Sequence, residues 1–315
     1  MVGIDRTATT TPVSRQAEPD SRVVRRGLVV GVSALVGVAI AVLWSARLVD
    51  DDIGVNTASG LIGRNATGAT VTGTVTGLVF AFVTGLAGTF TACNVAVFSA
   101  IAPMVSGNPS VASRIRQAFV PLGWLALGAV VVAGTYGAVG ALLGSRIPQL
   151  STAVVGDHVP VRTLQSIVVF GVIGLVMLYL GLASAGLVPD PLRRAATRWA
   201  PTRPAFMGLL IGGFLIGRPW PLFRKMFAYA ASTHDAAFGA AVFMLIVLGN
   251  MILLGLIFLL LSASGFPRWL RARPSRTITV ATVALVIGGV FTFVYWDVRV
   301  PAGLGFGWFP AMPWH

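Results

Sequence analysis

Two short stretches hold the side chains of this chain that could do chemistry. The first, Gly85 to Pro103, reads GLAGTFTACNVAVFSAIAP and carries the only cysteine, Cys93, beside Asn94. A lone thiol at membrane depth can exchange with the disulfide of a partner protein once a neighbouring cation favours the thiolate. It can equally pack as a small hydrophobe. The second, Gly208 to Ala230, reads GLLIGGFLIGRPWPLFRKMFAYA and sets Arg218 directly before Pro219, Trp220 and Pro221. An arginine inside an apolar span costs about 2.5–3.5 kcal/mol on insertion scales, so it usually faces protein or a water-filled cavity, where it can hold an anion. A span set differently in the bilayer would instead let Arg218 snorkel to the interface. Pro219 and Pro221 withhold two backbone donors and should break the helix. The freed carbonyls then need protein or water around them.

These stretches make Cys93 the candidate redox thiol. Arg218, Asn94 and Trp220 are the candidate binding residues, with a helix break at Pro219 and Pro221. Asn94 and Asn250 can also join helices by hydrogen bonds worth ~0.6 kcal/mol on average. One cysteine permits no internal disulfide and no cysteine-built metal site. His158, His234 and His315 lack metal-ligand spacing, so neither a metal nor a cofactor is expected.

The elements that must position these residues are membrane spans. The 315 residues are 56% hydrophobic and only 10% charged, against roughly 25% charged in soluble domains. The formal charge of +13 resides largely in arginines between apolar runs. It reads as membrane topology and contact with anionic lipid headgroups, not as nucleic-acid binding.

In order, residues 1–21 are polar and aperiodic, as a disordered tail would be. Residues 22–72 hold an uncleaved first helix, Gly27 to Trp44, and an extracytoplasmic linker with the acidic triplet Asp50 to Asp52. Spans two to four fall at about 73–105, 119–144 and 164–187, forming a first unit of three helices over 73–187. A basic cytoplasmic loop covers 188–205. Spans five to seven fall at about 206–230, 236–263 and 277–297, forming a second unit over 206–297. Residues 298–315 are an aromatic, Pro/Gly-rich extracytoplasmic tail. Seven spans put fifteen of the 23 basic residues on one side. The positive-inside rule makes that side cytoplasmic. The expectation is a multi-pass protein of the plasma membrane with its N-terminus inside and its C-terminus outside.

Three spans per half make homologous halves an inverted repeat, with functional groups near the midplane on broken helices. Laid together without gaps, Gly88 falls on Gly213, Cys93 on Arg218 and Phe98 on Phe223. The expected fold is therefore all-α, one N-terminal helix plus a 3+3 inverted-repeat core.

The glycine-rich approach, the cysteine and prolines in matching spans, and the 3+3 arrangement resemble the CcdA/DsbD-type transmembrane proteins of cytochrome c biogenesis and thiol-disulfide interchange. The resemblance covers about 73–297. Each half of that family typically carries a Pro-Cys element with a further proline nearby. Here Ala92-Cys93-Asn94-Val95-Ala96 keeps the cysteine without prolines, and Arg218-Pro219-Trp220-Pro221 keeps prolines without cysteine. Phe238 to Leu261 also resembles the family's span after the second element. The resemblance implies electron transfer through two intramembrane cysteines, which one cysteine cannot perform within a single chain. A redox relay or assembly factor would need a thioredoxin-like partner, extracytoplasmic or cytoplasmic, for Cys93. Related inverted-repeat families export small solutes or ions. Three functions follow as expectations: a single-cysteine relay, a small-solute or anion transporter using Arg218, and a non-catalytic membrane subunit.

Overall fold

The computed structural model describes residues 19–63, 65–88, 111–156, 159–264 and 273–310. The described residues are mostly helical. Helix α1 (Pro19–Leu43) leads through a π-helix (Arg47–Val55) into α2 (Asn56–Ile62) and α3 (Thr74–Ala87). After α4 (Val111–Leu143), a two-stranded antiparallel hairpin, β1 (Val154–Val155) and β2 (Val159–Pro160), precedes α5 (Val161–Ala185). The second part runs α6 (Arg193–Arg198), α7 (Thr202–Gly217), α8 (Pro221–Thr233), α9 (Ala236–Ala263) and α10 (Pro274–Phe293). A π-helix (Val294–Arg299) and α11 (Val300–Gly303) follow.

Among the described residues five helices are long and apolar enough to cross a membrane: Val24–Leu43, Phe119–Arg146, Val161–Ala185, Ala236–Ile257 and Ser275–Gly303. A sixth crossing is counted if α7 and α8, bent by 85° at their junction, form one span. The protein is thus an all-α, multi-pass membrane protein, with five to six described spans where the hydropathy pattern suggests seven. The second expected span is present only as the 14 residues of α3. At about 1.5 Å per residue these reach roughly 21 Å, short of an approximately 30 Å hydrocarbon core. The rest of that span, 89–105, lies outside the described residues.

Helices in lipid gain little from burying apolar surface against one another, so close backbone approach through small residues does the work. Helices α3 and α9 meet where a Cβ on Gly85 would collide with the Ile246 carbonyl. One turn away, a Cβ on Gly249 would collide with the Phe82 carbonyl and come within 2.9 Å of Leu86 N. Helices α4 and α7 meet in the same way. A Cβ on Gly208 would strike the Leu125 carbonyl, and one on Gly128 would strike the Ala205 carbonyl and reach 3.0 Å from Leu209 N. Gly85, Phe82 and Leu86 thus pack as Gly208, Ala205 and Leu209 do, and Ile246 and Gly249 as Leu125 and Gly128 do. Elsewhere α5 crosses α10 at Gly174 and Gly289, where a Cβ on Gly289 would sit 2.8 Å from the Gly174 carbonyl. Helix α1 lies on α10 through Gly37, against Val290.

The linker and the tail both contain helix. After the π-helix and α2, the Asn65 side chain accepts from Thr67 N at 3.0 Å and Gly68 N at 3.3 Å, closing an Asx turn. Ala58, Ala66 and Ala69 are buried in the core. In the C-terminal tail, helix continues from 298 to Gly303. Arg299 there donates to the carbonyls of Ala41 (2.6 Å) and Trp44 (2.7 Å), capping the C-terminal end of α1 with a cation.

Candidate functional site

Helix α7 stops at Gly217, Arg218 and Trp220 are extended, and Pro221 opens α8. The cause is local. Neither Pro219 nor Pro221 can donate to the carbonyl four residues before it, so the ladder fails over one full turn. The Ile216 carbonyl, left without the Trp220 amide, accepts from Gln149 Nε2 at 2.8 Å and Gln165 Nε2 at 3.2 Å. Gln165 also donates to the Tyr136 hydroxyl at 2.6 Å. Protein side chains thus do for this carbonyl what water cannot do at membrane depth. The 16 residues of α7 cover about 24 Å, so Arg218 stands toward the far end of an approximately 30 Å crossing rather than at its centre.

Arg218 is 12% exposed and pairs with Asp50 of the first π-helix, itself 34% exposed. Its Nη1 donates to the Gly88 carbonyl at 2.9 Å, at the end of α3. The guanidinium lies 4.8 Å over the Trp220 ring and 5.6 Å over Phe223. The Trp220 indole N–H donates to the Asp50 backbone carbonyl at 3.1 Å. Asp50 is therefore held by its side chain and its main chain, both by residues of the helix break. With one partner a third exposed, such a pair is worth roughly 0–1 kcal/mol. It fixes geometry more than it adds stability.

Beside the pair lies a cavity of about 220 Å³. Trp44, Phe170, Phe214, Phe291, Tyr295 and Trp296 give it an aromatic wall, and Arg218, Asp50, Asn250 and Thr292 are its polar points. Phe170 and Trp296 stack with centroids 4.5 Å apart. Thr292 is 1% exposed and its hydroxyl has no hydrogen-bond partner. A second cavity, of about 710 Å³, lies by the opposite end of α7, bordered by Trp124, Met207, Leu285 and the ion-paired Asp190 and Arg203. On α7 the first cavity ends at Ile211 and the second at Met207. That separation is one helical turn, about 6 Å. Along the helices that border both cavities, residues between the two linings in sequence, Ile173 and Met177 on α5, Leu210 on α7 and Val286 on α10, are buried.

The residues singled out in the sequence fare differently. Cys93 and Asn94 lie outside the described residues. Gly88, five positions before Cys93, is the point where α3 meets Arg218. Within the described residues, the packing register of Gly85 on Gly208 sets Gly88 on Ile211, two residues away from the gapless match of Gly88 with Gly213. Trp220 is buried behind Arg218, against Gly54. Lys225, seven residues after Arg218, donates to the carbonyls of Ala66 (3.0 Å) and Thr67 (2.9 Å). Asp50 was not recognised from the sequence, where it is one of three aspartates in a polar stretch. The signal that could have found it is the need of a half-buried arginine for a counter-charge. Among the described residues no three His, Cys, Asp or Glu side chains group as metal ligands do.

No family model, no curated protein and no solved structure matches this chain.

Proposed function

We propose that the chain is a small-solute carrier of the plasma membrane, built on a CcdA/DsbD-like 3+3 inverted repeat preceded by one helix. The observation that carries this reading is the pair of cavities on either side of a single turn of α7. Two compartments separated by a thin buried layer are what a protein needs to expose one site to each side in turn. The repeat is supported by the matched contacts of α3 with α9 and of α7 with α4. Positive charge in the basic loops favours a cytoplasmic N-terminus, so the Asp50–Arg218 cavity belongs to the extracytoplasmic side.

The chemistry of that cavity selects the solute. An apolar cavity of ~150 Å³ holds a benzene molecule, so about 220 Å³ suits one ring or branched chain with a short polar group. Arg218 supplies the anchor for an anionic group, and the aromatic wall takes the apolar body. Helix rearrangement at the Gly217 to Pro221 break would move Arg218 relative to the rest of the bundle.

The test is uptake by liposomes containing the purified protein, using labelled mandelate, 2-amino-1-phenylethanol and phenylalanine as anionic, cationic and zwitterionic one-ring probes. The carrier reading expects saturable uptake of at least one probe above empty liposomes. Uptake of none of them, with protein correctly inserted, would defeat it. A Cys93→Ser variant separates the redox-relay reading, which requires mixed disulfides through Cys93 and gives no reason for solute flux.

A further inference from the structure

We infer that Asp50 occupies the place of the substrate's carboxylate, so that a small organic acid arriving at Arg218 displaces it and frees the segment 47–72 from the mouth of the cavity. This rests on the carrier reading above and adds to it the substrate class and the opening step.

Three observations carry it. Asp50 is not part of a membrane span; it comes from the π-helix that follows α1, and with Trp44 and Val49 it forms one side of the cavity. Its carboxylate meets Arg218 where an incoming carboxylate would have to bind. A guanidinium receives any carboxylate through the same planar fork, so the exchange conserves charge and hydrogen-bond type. Trp220 and Lys225 also tie the segment to the helix break and α8 through hydrogen bonds to backbone carbonyls, and Gly54 packs on the Trp220 ring. Loss of the Asp50 pair removes the turn's ion pair with the helix break and leaves the indole hydrogen bond and the Gly54 contact there. A cation of the same size would have to take Asp50 from Arg218 and leave the half-buried guanidinium unpaired.

The experiment uses full-length protein in nanodiscs with mandelate as probe and 2-amino-1-phenylethanol as its cationic counterpart. Tryptophan fluorescence reads binding, and hydrogen exchange by mass spectrometry reads the opening of 47–72. Mandelate, and not the amine, should raise exchange across 47–72 in the wild type. Asp50→Asn should show raised exchange without ligand and bind mandelate about tenfold tighter, since the competing carboxylate is gone. Binding of mandelate with unchanged or lowered exchange at 47–72, or an Asp50→Asn variant that binds it no tighter, overturns the displacement while leaving the carrier intact. Binding of the amine in preference overturns the substrate class. The wild-type exchange measurement needs no variant, so a poorly folding Asp50→Asn does not rescue the inference.

Discussion

Asp50 and Arg218 stand 168 positions apart in the chain and form an ion pair where the α7–α8 break opens onto the aromatic cavity. The pair joins a segment outside the described membrane spans to the proline-containing break between α7 and α8. Its effect on folding is testable by a double-mutant cycle. Arg218→Ala and Asp50→Ala should show a coupling of about 1 kcal/mol in thermal or denaturant unfolding, as for a partly exposed pair. Arg218→Ala alone should cost more, because it also removes the bond to Gly88 and the stacking on Trp220.

The broken ladder at Ile216 makes a separate prediction. Its carbonyl has two glutamine donors. Gln149→Leu or Gln165→Leu alone should be mild, since the other donor remains. The double variant should be worse than additive by about 1–3 kcal/mol, the cost of an orphaned buried acceptor. Thermal unfolding of the three variants in detergent checks this.

The glycine contacts predict matched sensitivity in the two halves. Gly85→Ala and Gly208→Ala each force a Cβ into a facing carbonyl. Both should lower the melting temperature, each by about 1–3 kcal/mol of stability. Gly255→Ala, where a Cβ meets open space, should be neutral. Equal melting temperatures for all three would remove the packing argument for the repeat.

Arg299 predicts a local effect at the C-terminal end of α1. Arg299→Ala should fray the end of α1 by unpairing the Ala41 and Trp44 carbonyls. The expected loss is about 1–2 kcal/mol, with faster hydrogen exchange confined to residues after about 38. Arg299→Lys should restore part of it.

Much of this architecture was legible in the sequence. The spans at Val161–Ala185 and Ala236–Ile257 follow from uninterrupted apolar runs, and the break at Arg218 from two prolines two residues apart. Three features were not legible, for physical reasons. The Asp50 partner is set by tertiary proximity, and nothing local distinguishes Asp50 from Asp51 and Asp52. The register between the halves depends on which of 37 glycines make backbone contact, so a gapless match could settle two residues out of step. Residues 48–72 look like linker because their helices of nine and seven residues bury only Gly54 and Ala58 and leave no periodic apolar pattern.

The most direct test of the carrier account is exchange across liposomes. Labelled mandelate uptake should accelerate when the interior is preloaded with unlabelled mandelate, because an alternating site returns faster when occupied. Arg218→Ala should abolish that acceleration and Cys93→Ser should leave it intact. Uptake that ignores preloading, or that survives unchanged in Arg218→Ala, would contradict the account.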